Sequence, residues 1–150
     1  MGLDIGDRRV GVALSDDSGS VARGLCVLSR RGGTADAAAV AALAAREDVG
    51  LVVAGLPRTL RGDIGPQADK VLAFVGDLRQ VCPVAVELWD ERLTTRIAER
   101  SLAEANVPRG RRRGLVDRVA AAVILQGFLD ARGARRPDGT AGACAREDPG

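Results

Sequence analysis

The amino-acid sequence predicts an α/β protein built on one mixed five-stranded sheet, with helices on both faces. Three strand patterns come first, and the turn between the first two is short enough for an antiparallel hairpin. Two further apolar strand patterns then alternate with helical patterns, as parallel strands do when helices connect them. At 150 residues, of which 46% are apolar, the chain is long enough for one domain with its own core.

The opening stretch LDIGDRRVGVALSD carries the predicted hairpin. Residues 3–5 form a short strand pattern, and apolar and small residues alternate over residues 10–14 as in a second strand. Asp4 lies inside the first strand, where a carboxylate is costly unless it is paired or binds a metal ion. Gly6 and Gly11 leave room beside it for a ligand or another backbone. The alternative is that Asp4 only caps the turn.

The segments that follow supply the third and fourth strands. A third strand is predicted from Val21 to Ser29, antiparallel to the second, and Thr34 is predicted to cap an Ala-rich helix. That helix ends near Arg46, with Val40 and Leu43 facing inward. Residues 51–54 form a continuous apolar run, which favours a parallel strand buried on both faces.

An irregular loop from Gly55 to Pro66 follows the fourth strand, at the kind of strand end where α/β proteins bind ligands. Pro66 then opens an amphipathic helix, which Pro83 ends and whose apolar face includes Val71 and Leu78. Val84, Val86 and Leu88 mark the fifth strand. A further helix is predicted from Thr94 or Thr95 to about Ala105, with Ile97 and Leu102 inside.

The C-terminal part is predicted as a basic loop from Asn106 to Gly114 and a last helix from about Leu115 to Ala131. The predicted apolar face of this helix consists of Val116, Val119, Ala120, Val123, Ile124 and Phe128. From Arg132 onward the sequence has no periodicity, so residues 132–150 are predicted as a disordered tail to a domain of residues 1–131.

Composition excludes several kinds of site. There is no histidine, so triads and metal sites that need imidazole are ruled out. Cys26, Cys82 and Cys144 are widely spaced, which argues against a disulfide framework or a zinc site and favours a reducing, cytoplasmic compartment. No apolar run reaches about 18 residues and no signal-peptide pattern opens the chain, so no membrane association is expected.

Four acidic residues stand out by position. Asp4 is on the first strand, Asp90 and Glu91 follow the fifth strand, and Asp117 lies at the edge of the apolar face of the last helix. Two carboxylates about 4 Å apart repel by about 4 kcal/mol at an effective dielectric of 20, so a close group favours a bound cation. Without histidine or paired cysteine, that cation is expected to be Mg²⁺ or Mn²⁺, and such an ion can promote phosphodiester hydrolysis.

Each acid also has a simpler interpretation, and these alternatives stay open at this stage. Asp90 could cap the helix that follows it, and Asp117 could be an acid in the first turn of its helix. Glu91 and Arg92 could form a surface ion pair.

At four places the chain resembles the YqgF/RuvX family, whose members are described as RuvC-like Holliday junction resolvases and as pre-16S rRNA nucleases. The matching stretches are LDIGDRRVGVALSD, AGLPRTLRGDIGPQA, DERLTT and DRVAAAVILQGFLD, in the family's order, over about residues 2–130. The first motif alone would be weak, because actin-like ATPases and sugar kinases carry similar strings. The four together are specific.

The resemblance implies a ribonuclease H-like fold and a metal-dependent nuclease that acts on structured nucleic acid. It carries the catalytic acids onto Asp4, Asp90, Glu91 and Asp117. We expect Asp4, Glu91 and Asp117 to hold Mg²⁺ or Mn²⁺, with Asp90 supporting Glu91. The leading substrate is the 5′ end of pre-16S rRNA, and the alternative is branched DNA. The basic loop and the tail lie outside the shared motifs.

Because an acidic cluster repels phosphate, a basic rim is expected to hold the substrate. The candidate substrate-binding residues are Arg9, Arg58, Arg61, Arg92, Arg109, Arg111, Arg112 and Arg113. The loop from Gly55 to Pro66 is expected to be mobile and to lie beside the acids. The alternatives are an ordinary surface loop there, and a solvated charge run at Arg109–Arg113.

Two other function classes compete with the nuclease. An actin-like ATPase needs two such domains, whereas this length supplies one. A nucleic-acid-binding module with a merely structural acidic cluster is not excluded by the sequence. The expected partner in both nucleic-acid hypotheses is RNA or branched DNA, bound by a monomer or a homodimer, since symmetrical cutting of a four-way junction would need two copies.

Overall fold

The chain folds into one mixed sheet with helices on both faces. The computed structural model describes residues 1–58, 61–90 and 109–134, with side chains described from residue 114 to residue 133 in the last range. In chain order its elements are β1 (Gly2–Ile5), β2 (Arg9–Ser15), β3 (Ala22–Ser29), α1 (Thr34–Arg46), β4 (Leu51–Leu56), α2 (Pro66–Val81), β5 (Ala85–Asp90) and α3 (Arg109–Ala134).

The strand order is β3-β2-β1-β4-β5. β1, β2 and β3 pair antiparallel, and β4 lies parallel to both β1 and β5. The mixed five-stranded sheet predicted from the sequence is therefore confirmed. Within it, the β1–β2 register places Asp4 directly opposite Gly11, which positions the candidate site.

One face of the sheet, the α1/α2 face, is packed with interlocking apolar side chains. Strand residues such as Leu3 and Val12 are fully buried there. Val40 of α1 and Leu78 of α2 are also buried in this cluster, as the helical spacing predicted. Because alternate residues of a strand point to opposite faces, Asp4 does not share this face with Leu3 and Ile5.

The other face, the α3 face, is built around small residues. A Cβ on Gly2 would lie 2.7 Å from Cβ of Leu125, and one on Gly24 would lie 3.0 Å from Cβ of Arg118. Farther along α3, a Cβ on Gly127 would lie 3.3 Å from Nε1 of Trp89 in β5. The helix thus crosses the sheet from β3 to β5, and glycines allow it to approach closely.

The structure corrects several predicted boundaries. Gly33 is the N-cap of α1, and Thr34 is the first helical residue. The predicted loop from Gly55 starts two residues too early, because Gly55 and Leu56 continue β4 and pair with β5. The predicted helix from Thr94 or Thr95 to Ala105 lies outside the described residues.

The largest correction concerns the last helix. It begins at Arg109, so the predicted basic loop is wrong over residues 109–114, and it ends at Ala134, so residues 132–134 do not belong to a disordered tail. Arginine is a good helix former and the stretch contains no proline, so nothing local stops the helix earlier. Residues 135–150, which include Cys144, lie outside the described part.

The buried stripe of α3 also differs from the predicted one. Ala121 and Leu125 are buried together with Ile124, whereas Val119 and Val123 line a groove beside β3. The helix packs Ala121, Ile124 and Leu125 closely against the sheet because the strands offer glycines such as Gly2 and Gly11 there. No helix within the described residues is long and apolar enough to cross a membrane.

Candidate active site

Asp4 and Asp117 meet on the α3 face of the sheet. Asp4 faces this side because its neighbours Leu3 and Ile5 point into the opposite core. Gly11, opposite Asp4 in the sheet, is in direct contact with the backbone of Asp117. The lack of a side chain at Gly11 therefore allows the helix to carry Asp117 next to the first strand.

The electrostatics reflect this closeness. Burial, together with the nearby negative charge of Asp117, raises the pKa of Asp4 from 3.8 to about 6. A half-buried carboxylate beside a second carboxylate is costly to ionise. The raised pKa means that the folded chain bears an electrostatic penalty at Asp4 whenever the pH is neutral.

Arg9 lies on the same face and contacts Asp117, with 2.7 Å between Nε and Oδ2. The side chains are 39% and 20% exposed, respectively. Within the described part of the chain, Oδ2 of Asp117 is buried and has no hydrogen-bond partner, so the contact with Arg9 is a close charge pair without hydrogen-bond alignment. Arg9 thus lies beside the acids, as a substrate-binding arginine would.

These features fit a divalent cation. Two carboxylates converge from different elements, one of their oxygens is buried without a hydrogen bond, and the pKa of one carboxyl is raised. A hard cation would satisfy the oxygen and relieve the repulsion between Asp4 and Asp117. Within residues 1–58, 61–90 and 109–134, however, no three acidic or cysteine side chains come together as a complete metal site.

Asp90 ends β5, where it pairs with Leu56 of β4. Its position in the alternation is that of Val86 and Leu88, whose side chains join the core under α1 and α2. Asp90 is therefore on the opposite face from Asp4 and Asp117. Glu91 and Arg92, the other residues predicted there, lie outside the described part of the chain.

The remaining predicted arginines either border residues outside the described part of the chain or have their side chains outside it. Arg58 and Arg61 flank two residues outside the described part, and both are exposed. Arg109, Arg111, Arg112 and Arg113 belong to the first turns of α3, one to two turns before Asp117, and not to a loop. Their side chains are not among those described.

A polar cluster that no sequence pattern indicated supports the β1–β2 turn. Asp36, with 6% exposure, accepts hydrogen bonds from Arg30 Nε at 3.1 Å, from the Arg31 amide at 2.8 Å and from the Gly32 amide at 3.1 Å. Arg30 donates in turn to the carbonyl of Gly6 at 2.9 Å, and its guanidinium lies 5.1 Å from the centre of the Phe74 ring.

We call Asp36 and its three donors the Asp36 anchor. Burial by itself would raise the pKa of Asp36, but the hydrogen bonds from Arg31, Arg30 and Gly32 outweigh it and hold the pKa below its usual value. An acid in the first turn of a helix is common, so no sequence signal distinguished this one. The anchor connects the β3–α1 loop to the turn that follows Asp4.

The chain is similar to a known protein family and to named relatives over most of its length. The model of the family described as "RuvX: Holliday junction resolvase" matches residues 1–131. A protein of Pelotomaculum thermopropionicum named "Putative pre-16S rRNA nuclease" is 47% identical over 137 residues, covering 91% of this chain and 89% of that protein. A protein of the same name from Desulforudis audaxviator is 50% identical over 132 residues, covering 88% and 94%.

Solved structures show the same fold at low sequence identity. RuvC of T. thermophilus in complex with a Holliday junction substrate superposes with a TM-score of 0.57 at 19% identity, covering 89% of this chain and 94% of that one. The Fowlpox virus resolvase in complex with Holliday junction DNA superposes with a TM-score of 0.53 at 11% identity, covering 87% and 96%.

Proposed function

This chain belongs to the RuvX family, and from that premise we propose that it is a metal-dependent nuclease that hydrolyses phosphodiester bonds in structured nucleic acid. The observation that carries the proposal is the meeting of Asp4 and Asp117 across Gly11, with a buried carboxylate oxygen left without a hydrogen bond. The names of the relatives favour pre-16S rRNA as the substrate. We propose that the chain processes the 5′ end of this RNA.

Asp4, Glu91 and Asp117 are the proposed ligands of Mg²⁺ or Mn²⁺. Glu91 is preferred over Asp90 because strand alternation gives Asp90 the face of Val86 and Leu88, away from Asp4 and Asp117. An ion held by these carboxylates would activate a water molecule and stabilise the leaving oxygen. Asp90 is proposed to support this position from the strand end.

Arg9 is proposed to perform two tasks. Its guanidinium neutralises part of the charge on Asp117, and its exposed portion can contact a phosphate oxygen of the substrate. An arginine at this point offsets the repulsion that two carboxylates exert on a nucleic-acid backbone. We also retain the other arginines as substrate-binding candidates: Arg58, Arg61, Arg92, Arg109, Arg111, Arg112 and Arg113.

A second candidate function is the resolution of branched DNA. The description of the family favours it, because that description names a Holliday junction resolvase. Symmetrical cleavage of a four-way junction would require a homodimer, whereas trimming of an RNA end would need only a monomer. We place either activity in the cytoplasm, since the free thiols of Cys26 and Cys82 suit a reducing compartment.

A cleavage assay tests the proposal. The full chain is incubated with a labelled stem–loop RNA that carries single-stranded flanks and, separately, with a four-way DNA junction, in Mg²⁺, Mn²⁺ or EDTA. We expect metal-dependent cleavage of one probe and a loss of about 100-fold or more in Asp4→Asn. Asp17→Asn, an equal charge change at an exposed residue at the far end of the sheet, should cleave normally.

Undiminished cleavage in EDTA would contradict the metal mechanism. Binding without cleavage of either probe under every metal condition would favour the non-catalytic binding module. The substrate that is cut decides between the RNA and the branched-DNA hypotheses.

A further inference from the structure

Two exposed arginines that the motifs did not single out lie at and beside the β1–β2 turn. Arg8 is in that turn, and Arg31 follows β3. The amide of Arg30 donates to the carbonyl of Arg8 at 2.8 Å, so the two segments lie side by side. Neither Arg8 nor Arg31 forms an ion pair within the described part of the chain.

The backbone beneath these two arginines is fixed by buried groups. The Asp36 anchor binds the amides of Arg31 and Gly32, and Gly32 has a φ of 89° that favours glycine. The guanidinium of Arg30 donates hydrogen bonds to Asp36 and to the Gly6 carbonyl, so Arg30 helps to fix this backbone and is not counted as a phosphate ligand. Such preorganisation lowers the entropy that a bound ligand would otherwise cost.

The local charge is positive once internal pairs are discounted. Arg30 is compensated by Asp36 at 3.1 Å, and Lys70 by Asp7 at 3.1 Å. Two positive charges remain, on Arg8 and Arg31. Two unpaired guanidinium groups carried by backbone segments that are hydrogen-bonded to each other suit a ligand with several anionic oxygens, such as a nucleic-acid backbone.

We propose that Arg8 and Arg31 form a second phosphate-binding point, which holds the nucleic-acid backbone beside the acidic site. The inference rests on the proposed nuclease function and adds a position on the protein surface that the substrate backbone contacts. Arg8 is four residues from Asp4, which limits their Cα separation to about 14 Å. The phosphate held there would therefore lie within a few nucleotides of the bond that is cut, since one strand of a duplex rises about 3.4 Å per nucleotide.

The test measures the affinity of the full chain for the flanked stem–loop RNA against salt concentration, in EDTA so that the probe stays intact. Two phosphate contacts contribute about 1.4 to 1.8 to the slope of log affinity against log salt. The Arg8→Ala/Arg31→Ala variant should therefore lose about that much slope. The Arg8→Lys/Arg31→Lys variant keeps both charges and should retain the wild-type slope.

The matched control is Arg23→Ala/Arg132→Ala, which removes two exposed arginines at the opposite end of the sheet and should leave the slope unchanged. The inference is overturned if the salt slope of Arg8→Ala/Arg31→Ala superimposes on that of the wild type, or if the control variant loses as much slope. In either case, binding and cleavage by the wild type would still support the proposed nuclease function. If the wild type does not bind the RNA at any salt concentration, both the second phosphate-binding point and the proposed RNA substrate are contradicted.

Discussion

The two faces of the sheet are covered in opposite ways. On the α1/α2 face, large apolar side chains such as Leu3, Val12 and Leu78 interlock and exclude water. On the α3 face, glycines let one helix lie close to the strands, and a charged group occupies one end. The contrast teaches that the α1/α2 face holds the larger apolar core, whereas the α3 face combines a smaller apolar cluster around Val53, Ile124 and Leu125 with a close helix approach that brings two carboxylates together.

The energetic balance follows the same division. Each large side chain on the α1/α2 face contributes roughly 1.5 to 3 kcal/mol through its burial. Asp4 on the α3 face lowers the free energy of unfolding, because burial and the charge of Asp117 make its ionised form unfavourable. These two effects raise its pKa to about 6. Groups that oppose folding and yet lie at a defined position are typical of functional sites.

The change expected to break this contrast most strongly is Gly11→Ala. The new Cβ would overlap the carbonyl oxygen of Asp117, and since that atom is backbone, the whole helix must shift. We expect a loss of about 3 kcal/mol in the free energy of unfolding, measured by urea denaturation. Gly76→Ala is the matched control at an exposed position of α2, where a Cβ meets nothing within 4 Å.

Gly76→Ala should stabilise the chain by about 0.5 to 1 kcal/mol, because alanine replaces glycine inside a helix without a clash. If Gly11→Ala were as harmless as Gly76→Ala, the close approach of α3 to the sheet would be wrong.

A smaller effect of opposite sign is expected for Asp4→Asn. The folded-state pKa of about 6 exceeds the ordinary value of 3.8, so between these values the folded carboxyl keeps a proton that the unfolded one releases. Stability therefore falls as the pH rises through this window, and the penalty is complete above about pH 6.

Replacing the carboxyl removes that penalty. In metal-free buffer, Asp4→Asn should raise the free energy of unfolding by about 1 to 2 kcal/mol at neutral pH, after allowance for partial exposure. The difference from the wild type should vanish near pH 4, and Asp17→Asn should show none at either pH. A neutral-pH stability equal to that of the wild type would show that Asp4 is not held in an unfavourable environment.

The sequence predicted one face better than the other for a physical reason. Periodicity of apolar residues reports packing, so the positions of Val40, Val71 and Leu78 in the α1/α2 core followed from spacing alone. The rotation of α3 depends on contacts with glycines of distant strands, which no local pattern records. This is why the predicted apolar face omitted the buried residues Ala121 and Leu125, whereas its members Val119 and Val123 line a groove.

In the candidate site, too, the sequence indicated some residues and could not indicate their contacts. Asp4 drew attention because a carboxylate inside an apolar strand is unusual, and Asp117 because it borders an apolar helical face. Their meeting, and the contact of Arg9 with Asp117, depend on strand register and on how the helix crosses the sheet. The Asp36 anchor joins residues close in sequence, but only the tertiary placement of Arg30 under Gly6 reveals its role.

The central claim is that Asp4 and Asp117 together hold a divalent cation. Calorimetric titration with Mn²⁺ tests it directly on the wild type, Asp4→Asn, Asp117→Asn and the exposed control Asp17→Asn. We predict saturable binding to the wild type and to Asp17→Asn, and at least about a tenfold loss of affinity in each of the other two variants. Equal Mn²⁺ affinity in all four proteins would contradict the claim.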